Sequence, residues 1–169
     1  MESFLRYWIR WPSLEVFMGS PWAWPLCETI HFIGLCLLVG IVGMFDLRVL
    51  GLAKGVPLAS LKRLLPWGVF GFALCLISGG LFVGGIGANL AGANAYDVIM
   101  RNIWLQLKLI FIFLAGINVL AFYLTGMART VDTLGPADDA PLLAKAIAGM
   151  SLFLWVGVVV LGRLIPRAL

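Results

Sequence analysis

Four long apolar runs alternate with short segments that collect most of the charge. They cover about Leu26 to Leu50, Leu64 to Ile86, Ile103 to Thr125 and Leu142 to Ile165. A helix crossing a bilayer needs about 20 such residues, so each run predicts one spanning helix. The connections leave little room for a soluble domain. The fold expected for residues 19–169 is therefore all-α, an up-and-down four-helix transmembrane bundle.

Residues 1–18 read differently. Glu2, Arg6, Arg10 and Glu15 interrupt any continuous apolar core, unlike a cleaved signal peptide, so the segment is expected to remain in the mature protein. Phe4, Leu5, Trp8, Trp11 and Phe17 fall on one side of a helical projection, which predicts a short amphipathic helix lying in the interface, interrupted at Pro12.

Composition agrees with the pattern. With 62% hydrophobic residues and a mean hydropathy of +1.04, the chain is not a water-soluble globule, and its first partner is the lipid bilayer. The net charge of +4 is spread over segment ends, which suits membrane flanks and not a nucleic-acid surface. Cys27, Cys36 and Cys75 lie in or beside apolar runs without a CxxC pair and read as packing residues. The densest basic cluster, Arg48, Lys54, Lys62 and Arg63, flanks the first connection; the positive-inside rule then puts connections one and three in the cytoplasm and both termini outside.

Small residues predict close helix approaches. SGGLFVGGIG carries the Gly80 and Gly84 pair, and Gly34, Gly40 and Gly43 give helix one a similar surface. The two surfaces suit packing of helices one and two, or a homodimer. Ser78, Asn118 and Ser151 lie deep enough to hydrogen-bond between helices.

Two levels of the bundle carry ionisable groups. On one side, Glu28 and His31 enter helix one, Lys108 enters helix three and Arg163 leaves helix four, with Arg101 just outside. Charges inside hydrocarbon are costly and mark candidate sites. On the other side, Asp46 suits an ion pair with Arg48 or Arg63 that staples the first hairpin. Lys108 can either join the polar level or extend its ammonium to the interface.

Glu28 and His31 form E-x-x-H on one helix, the spacing found in bundled di-metal sites. Those sites need the motif twice, and this chain has one histidine. Three uses of His31 stay open. It can be the proximal ligand of haem b, with Lys108, Arg101 and Arg163 pairing with propionates and Met18, Met100, water, an empty position or another subunit on the second axial side. It can belong to a proton or anion pathway with Glu28, Lys108 and Arg163 in a non-redox transport or assembly subunit. It can also be a hydrogen-bonded strut between helices.

The motifs ETIHFIGLCLLVGIVGMFDLRVLG, KRLLPWGVFGFALCLISGGLF, WLQLKLIFIFLAGIN and SLFLWVGVVVLGRLI, in that order, resemble an uncharacterised bacterial family of small four-helix membrane proteins. The arrangement is more distantly similar to the membrane-bound, oxygen-independent protoporphyrinogen oxidase family and to copper-resistance-type membrane domains. In the oxidase family the helix-one histidine ligates haem b, so the resemblance implies that role for His31 and maps the basic pattern to Arg63 and Lys108. The family's second ligand, a methionine before the Arg-Leu pair, has no counterpart in LASLKRLL. The resemblance implies a bacterial cytoplasmic (inner) membrane location and redox, electron-transfer or porphyrin-related chemistry, alone or within a larger membrane complex.

Overall fold

The computed structural model describes Phe4 and residues 12–89, 93–135 and 138–168. The short helix α1 (Pro12–Met18) precedes the long helices α2 (Ala23–Leu50) and α3 (Leu58–Gly84). A brief α4 (Ile86–Asn89) and α5 (Ala95–Arg101) lead to α6 (Ile103–Leu124). After α7 (Met127–Asp132), α8 (Leu142–Leu164) runs into a 3-10 turn, Ile165–Ala168. Among the described residues, α2, α3, α6 and α8 are the four helices long and apolar enough to cross a membrane. The protein is an all-α, multi-pass integral membrane protein with its long helices packed up-and-down.

The boundaries refine the pattern. The second helix starts at Leu58, six residues before the apolar run, because Pro57 sits in an extended conformation and the chain becomes helical directly after it. Lys62 and Arg63 therefore lie on the helix itself, in turns that reach into the polar interface. Gly51 ends α2 in the left-handed region (φ 88°), where the Leu52 N–H reaches the Leu47 carbonyl at 3.0 Å and closes the last turn. Asn102 opens α6 by accepting the Leu105 N–H (3.1 Å), and its amide donates to the Ile165 carbonyl (2.9 Å), tying the end of α8 to the start of α6.

At the N-terminus Pro12 opens α1, a position at which its missing N–H costs nothing. Met18 is buried, packed with Leu14 against Leu81 and Phe82 of α3, whereas Val16 and Phe17 stay exposed. The amphipathic pattern at Leu5, Arg6, Trp8, Arg10 and Trp11 lies outside the described residues.

Burial is inverted relative to a soluble bundle. Phe113 is 69% and Ile77 64% exposed, while Ala115 and Ala144 are at 1% and 0%. Many large apolar groups face outward and alanines fill several of the tightest interior positions, as lipid solvation permits and helix packing favours. α2 is the hub, packed along α3 and α8; α8 in turn packs along α6. α3 and α6 barely meet, so one side of the bundle is open.

α2 and α3 approach each other backbone on backbone. A Cβ at Gly71 would stand 2.6 Å from the Gly34 carbonyl oxygen, and one at Gly34 would stand 2.8 Å from that of Gly71. Helices one and two do pack through glycine, but at Gly34 and Gly71. Gly40 and Gly80 face open space, Gly43 meets only a leucine side chain of α8, and Gly84 receives Leu14 of α1.

Candidate functional site

His31 lies about 12 Å along α2 from Ala23 at 1.5 Å per residue, deeper than a start at Leu26 implies. Its ring is half-buried against α3, edge-on to Phe82 with centroids 5.6 Å apart. Nδ1 is 2.7 Å from Ser78 Oγ. The same Ser78 hydroxyl donates to the Leu74 carbonyl at 2.6 Å. A hydroxyl has one proton, so with that proton on Leu74 the imidazole is the donor: Nδ1 carries the hydrogen and Nε2 keeps its lone pair.

Sulfur contacts hold the rest of this seam. The Cys27 thiol donates to the Ser78 carbonyl (3.4 Å) and the Cys75 thiol to the His31 carbonyl (3.6 Å). His31 is thus a strut between α2 and α3 with one nitrogen left available. Ser78 does more than cross-link helices, because it sets the tautomer; its deep position in the sequence pointed to the bond but not to the partner.

Lys108 turns inward. Its Nζ lies over Gly162 of α8, where a Cβ would come within 3.1 Å, and it is within electrostatic range of both His31 and Cys75. The other members of the proposed polar level do not converge. Glu28 is exposed and accepts the Trp24 indole N–H (3.2 Å). Arg163 is exposed at the end of α8, and Arg101 is exposed and paired with Asp97 at 3.4 Å. Three residues of helix leave Glu28 and His31 about 60° apart, and the buried seam runs through Cys27 and Gly34 on the far side of His31, so Glu28 falls outside it.

The opposite level is also rearranged. Arg48, 1% exposed, donates from Nε to the Val56 carbonyl and from its terminal nitrogen to the Gly135 carbonyl, each at 3.1 Å. It clamps connections one and three together, and among the described residues no ion pair joins Asp46 to Arg48 or Arg63. Lys54 reaches Asp139 at 2.7 Å, Lys145 joins the same carboxylate at 3.5 Å, and Lys62 pairs with Asp132. Arg63 is exposed. Asp46 is 5% exposed; its carboxyl is hydrogen-bonded by Ser151, and its Oδ2 has no hydrogen-bond partner.

Asp46 also lines a cavity of about 410 Å³ on the open side of the bundle, shared by α2, α3, α6 and α8. Phe45, Phe72, Phe122 and Trp155 supply aromatic walls, with Asn118, Ser151 and Lys62 as further polar lining. His31, Glu28, Lys108 and Arg163 are not in its lining. Asn118 itself bonds the Ile147 carbonyl of α8 (3.1 Å), the interhelical role its depth suggested.

Among the described residues no group of three or more His, Cys, Asp or Glu side chains is placed to hold a metal ion. No family model, curated protein or solved structure matches the chain, so the molecule stands on its structure as a four-helix integral membrane protein, and the family likeness rests on the helix motifs alone.

Proposed function

We propose that this multi-pass membrane protein holds haem b through His31 and serves redox or porphyrin-related chemistry in the bilayer. The observation that carries the reading is the Ser78 bond: with its hydroxyl proton on Leu74, it accepts from Nδ1 and leaves Nε2 as an oriented, unprotonated donor. Metal-bound histidines are typically held this way, the second ring nitrogen donating to a fixed oxygen that raises ligand basicity. His31 would be the one protein ligand to the group. Lys108 supplies a cation inside the bundle for a propionate, while Arg163 supplies one at its edge. Arg101 is less suited, since Asp97 already holds it.

Bound haem would supply one-electron chemistry or an open coordination position at iron. The chain's own part is to hold the imidazole in one tautomer, exclude water with the Phe82 face and compensate negative charge with Lys108. Met18, the last residue of α1, is packed with Leu81 and Phe82, and Met100 is exposed. The proton or anion pathway is less well supported, because Glu28 and Arg163 face outward.

The test is the absorption spectrum of detergent-solubilised protein, as isolated and after titration with haemin. A Soret band that disappears in His31→Ala, with haem affinity about 10- to 100-fold weaker in Ser78→Ala, is the expected result. A protein that leaves the haemin spectrum unchanged, or a Soret band retained by His31→Ala, would refute it.

A further inference from the structure

Asp46 does not belong to the His31 site. It lies fifteen residues further along α2, about 22 Å away along the helix axis. A buried carboxylate oxygen without a donor is costly, and here it belongs to a residue that also lines a cavity. Ser151 satisfies only part of the carboxyl group, and Lys62 is committed to Asp132.

The cavity has the attributes of a small-molecule site: a volume of about 410 Å³, mainly apolar walls and few polar groups. Its route of entry is lateral. α3 and α6 barely meet, and Val69, Val119 and Tyr123, which line the opening, are 68%, 46% and 61% exposed. A shallower recess lined by Lys62, Leu65, Pro66, Val69 and Tyr123 adjoins it on the outer side. A molecule dissolved in the bilayer can reach the acid without crossing a polar layer.

The chemistry of the walls selects the occupant. A carboxylate with a free oxygen takes a hydrogen-bond donor and repels an anion, and a cationic donor makes the stronger bond. Aromatic faces favour the same charge. A bare metal ion lacks further ligands, since no three-residue donor group exists among the described residues. We propose that this cavity binds a lipophilic amine, which enters from the bilayer between α3 and α6, sets its ammonium against the Asp46 carboxylate and lays its apolar body among Phe45, Phe72, Phe122 and Trp155.

The full chain in lipid nanodiscs, with empty nanodiscs as the partition blank, is titrated with dansylcadaverine, a primary amine on an apolar fluorophore, and with its N-acetylated neutral form. Saturable binding of the amine, with the acetylated form about tenfold or more weaker, is expected. Asp46→Asn, which keeps the shape of the side chain, should weaken the amine by a similar factor. Gly116→Phe provides an independent arm: Gly116 lines the cavity and a Cβ there meets nothing within 4 Å, so the added ring fills the space without a backbone clash and should abolish binding. Equal binding of the two forms, no saturable binding by the wild-type chain, or wild-type affinity in either variant overturns the proposal. None of these outcomes depends on whether His31 carries haem.

Discussion

Replacing Gly71 by alanine would place a Cβ 2.6 Å from the Gly34 carbonyl oxygen, 2.8 Å from Leu37 Cβ and 2.9 Å from the Leu38 backbone nitrogen. Ordinary contacts begin near 3.4 Å, so α2 and α3 must part by about 0.5–0.8 Å, and a gap of that size forfeits roughly a quarter to a half of the local dispersion attraction. Two of the three neighbours are backbone and cannot rotate away. No hydrophobic term restores the loss, because lipid chains solvate the separated faces as well as protein does. Overpacking of this kind costs about 1–3 kcal/mol, or roughly 2–12 °C in melting temperature for a chain of this size. Thermal unfolding in detergent, followed with a thiol-reactive fluorophore on a background in which the exposed Cys36 is replaced by serine, reads the change, since Cys27 is buried and Cys75 lies at the crossing beside Gly34. Gly40→Ala is the control: its Cβ meets nothing within 4 Å, and alanine favours the helix over glycine by about 0.8–1 kcal/mol. The Gly71 variant should melt lower and the Gly40 variant at or above wild type. Equal midpoints for the two would refute the assignment of the crossing.

Arg48→Lys should destabilise nearly as much as Arg48→Ala, because an ammonium cannot span the Val56 and Gly135 carbonyls; loss of either charge-assisted bond is worth about 1.5–3 kcal/mol, and melting midpoints of the two variants check it. Asn102→Ala, which removes both the cap on Leu105 and the bond to Ile165, should lower the melting midpoint, and Asn102→Asp should not restore it, because the cap acceptor it keeps comes with a buried carboxylate facing the Ile165 carbonyl. The Lys54 bond, helped by Lys145, holds the exposed Asp139 carboxyl below its usual range. A lowered folded value means that the contribution is present above the unfolded pKa and fades as pH falls through the folded one, so the midpoint difference between wild type and Asp139→Asn should be steady near neutrality, close below about pH 4, and shrink with added salt.

The arrangement of the spans was legible because it rests on length and local pattern. Lipid demands internally hydrogen-bonded segments of bilayer thickness, and four apolar runs of that length leave few alternatives. The interhelical roles of Ser78, Asn118 and Ser151 followed from depth alone, since polar groups far from water take protein partners. The start of the second helix was less visible: Leu58 to Arg63 is helical but not uniformly apolar, and a hydropathy pattern marks the hydrocarbon boundary, not the end of the helix.

The rotation of each helix was not legible. In water an apolar stripe reveals the buried face, but α2 and α6 are apolar on all sides because both lipid and protein interior accept hydrocarbon. Depth therefore grouped Glu28, His31, Lys108, Arg101 and Arg163 at one level, whereas packing turned only His31 and Lys108 inward. For the same reason the backbone-to-backbone crossing of α2 and α3 fell at Gly34 and Gly71, not at the more conspicuous Gly80 and Gly84. The sequence by itself determined the number, length and alternation of the helices, through bilayer thickness and backbone hydrogen bonding. Tertiary structure alone decided which glycines touch, that Arg48 clamps two connections, and that Asp46 keeps an unpartnered oxygen and lines a cavity, because each of these depends on the angle at which one uniformly apolar helix faces the next.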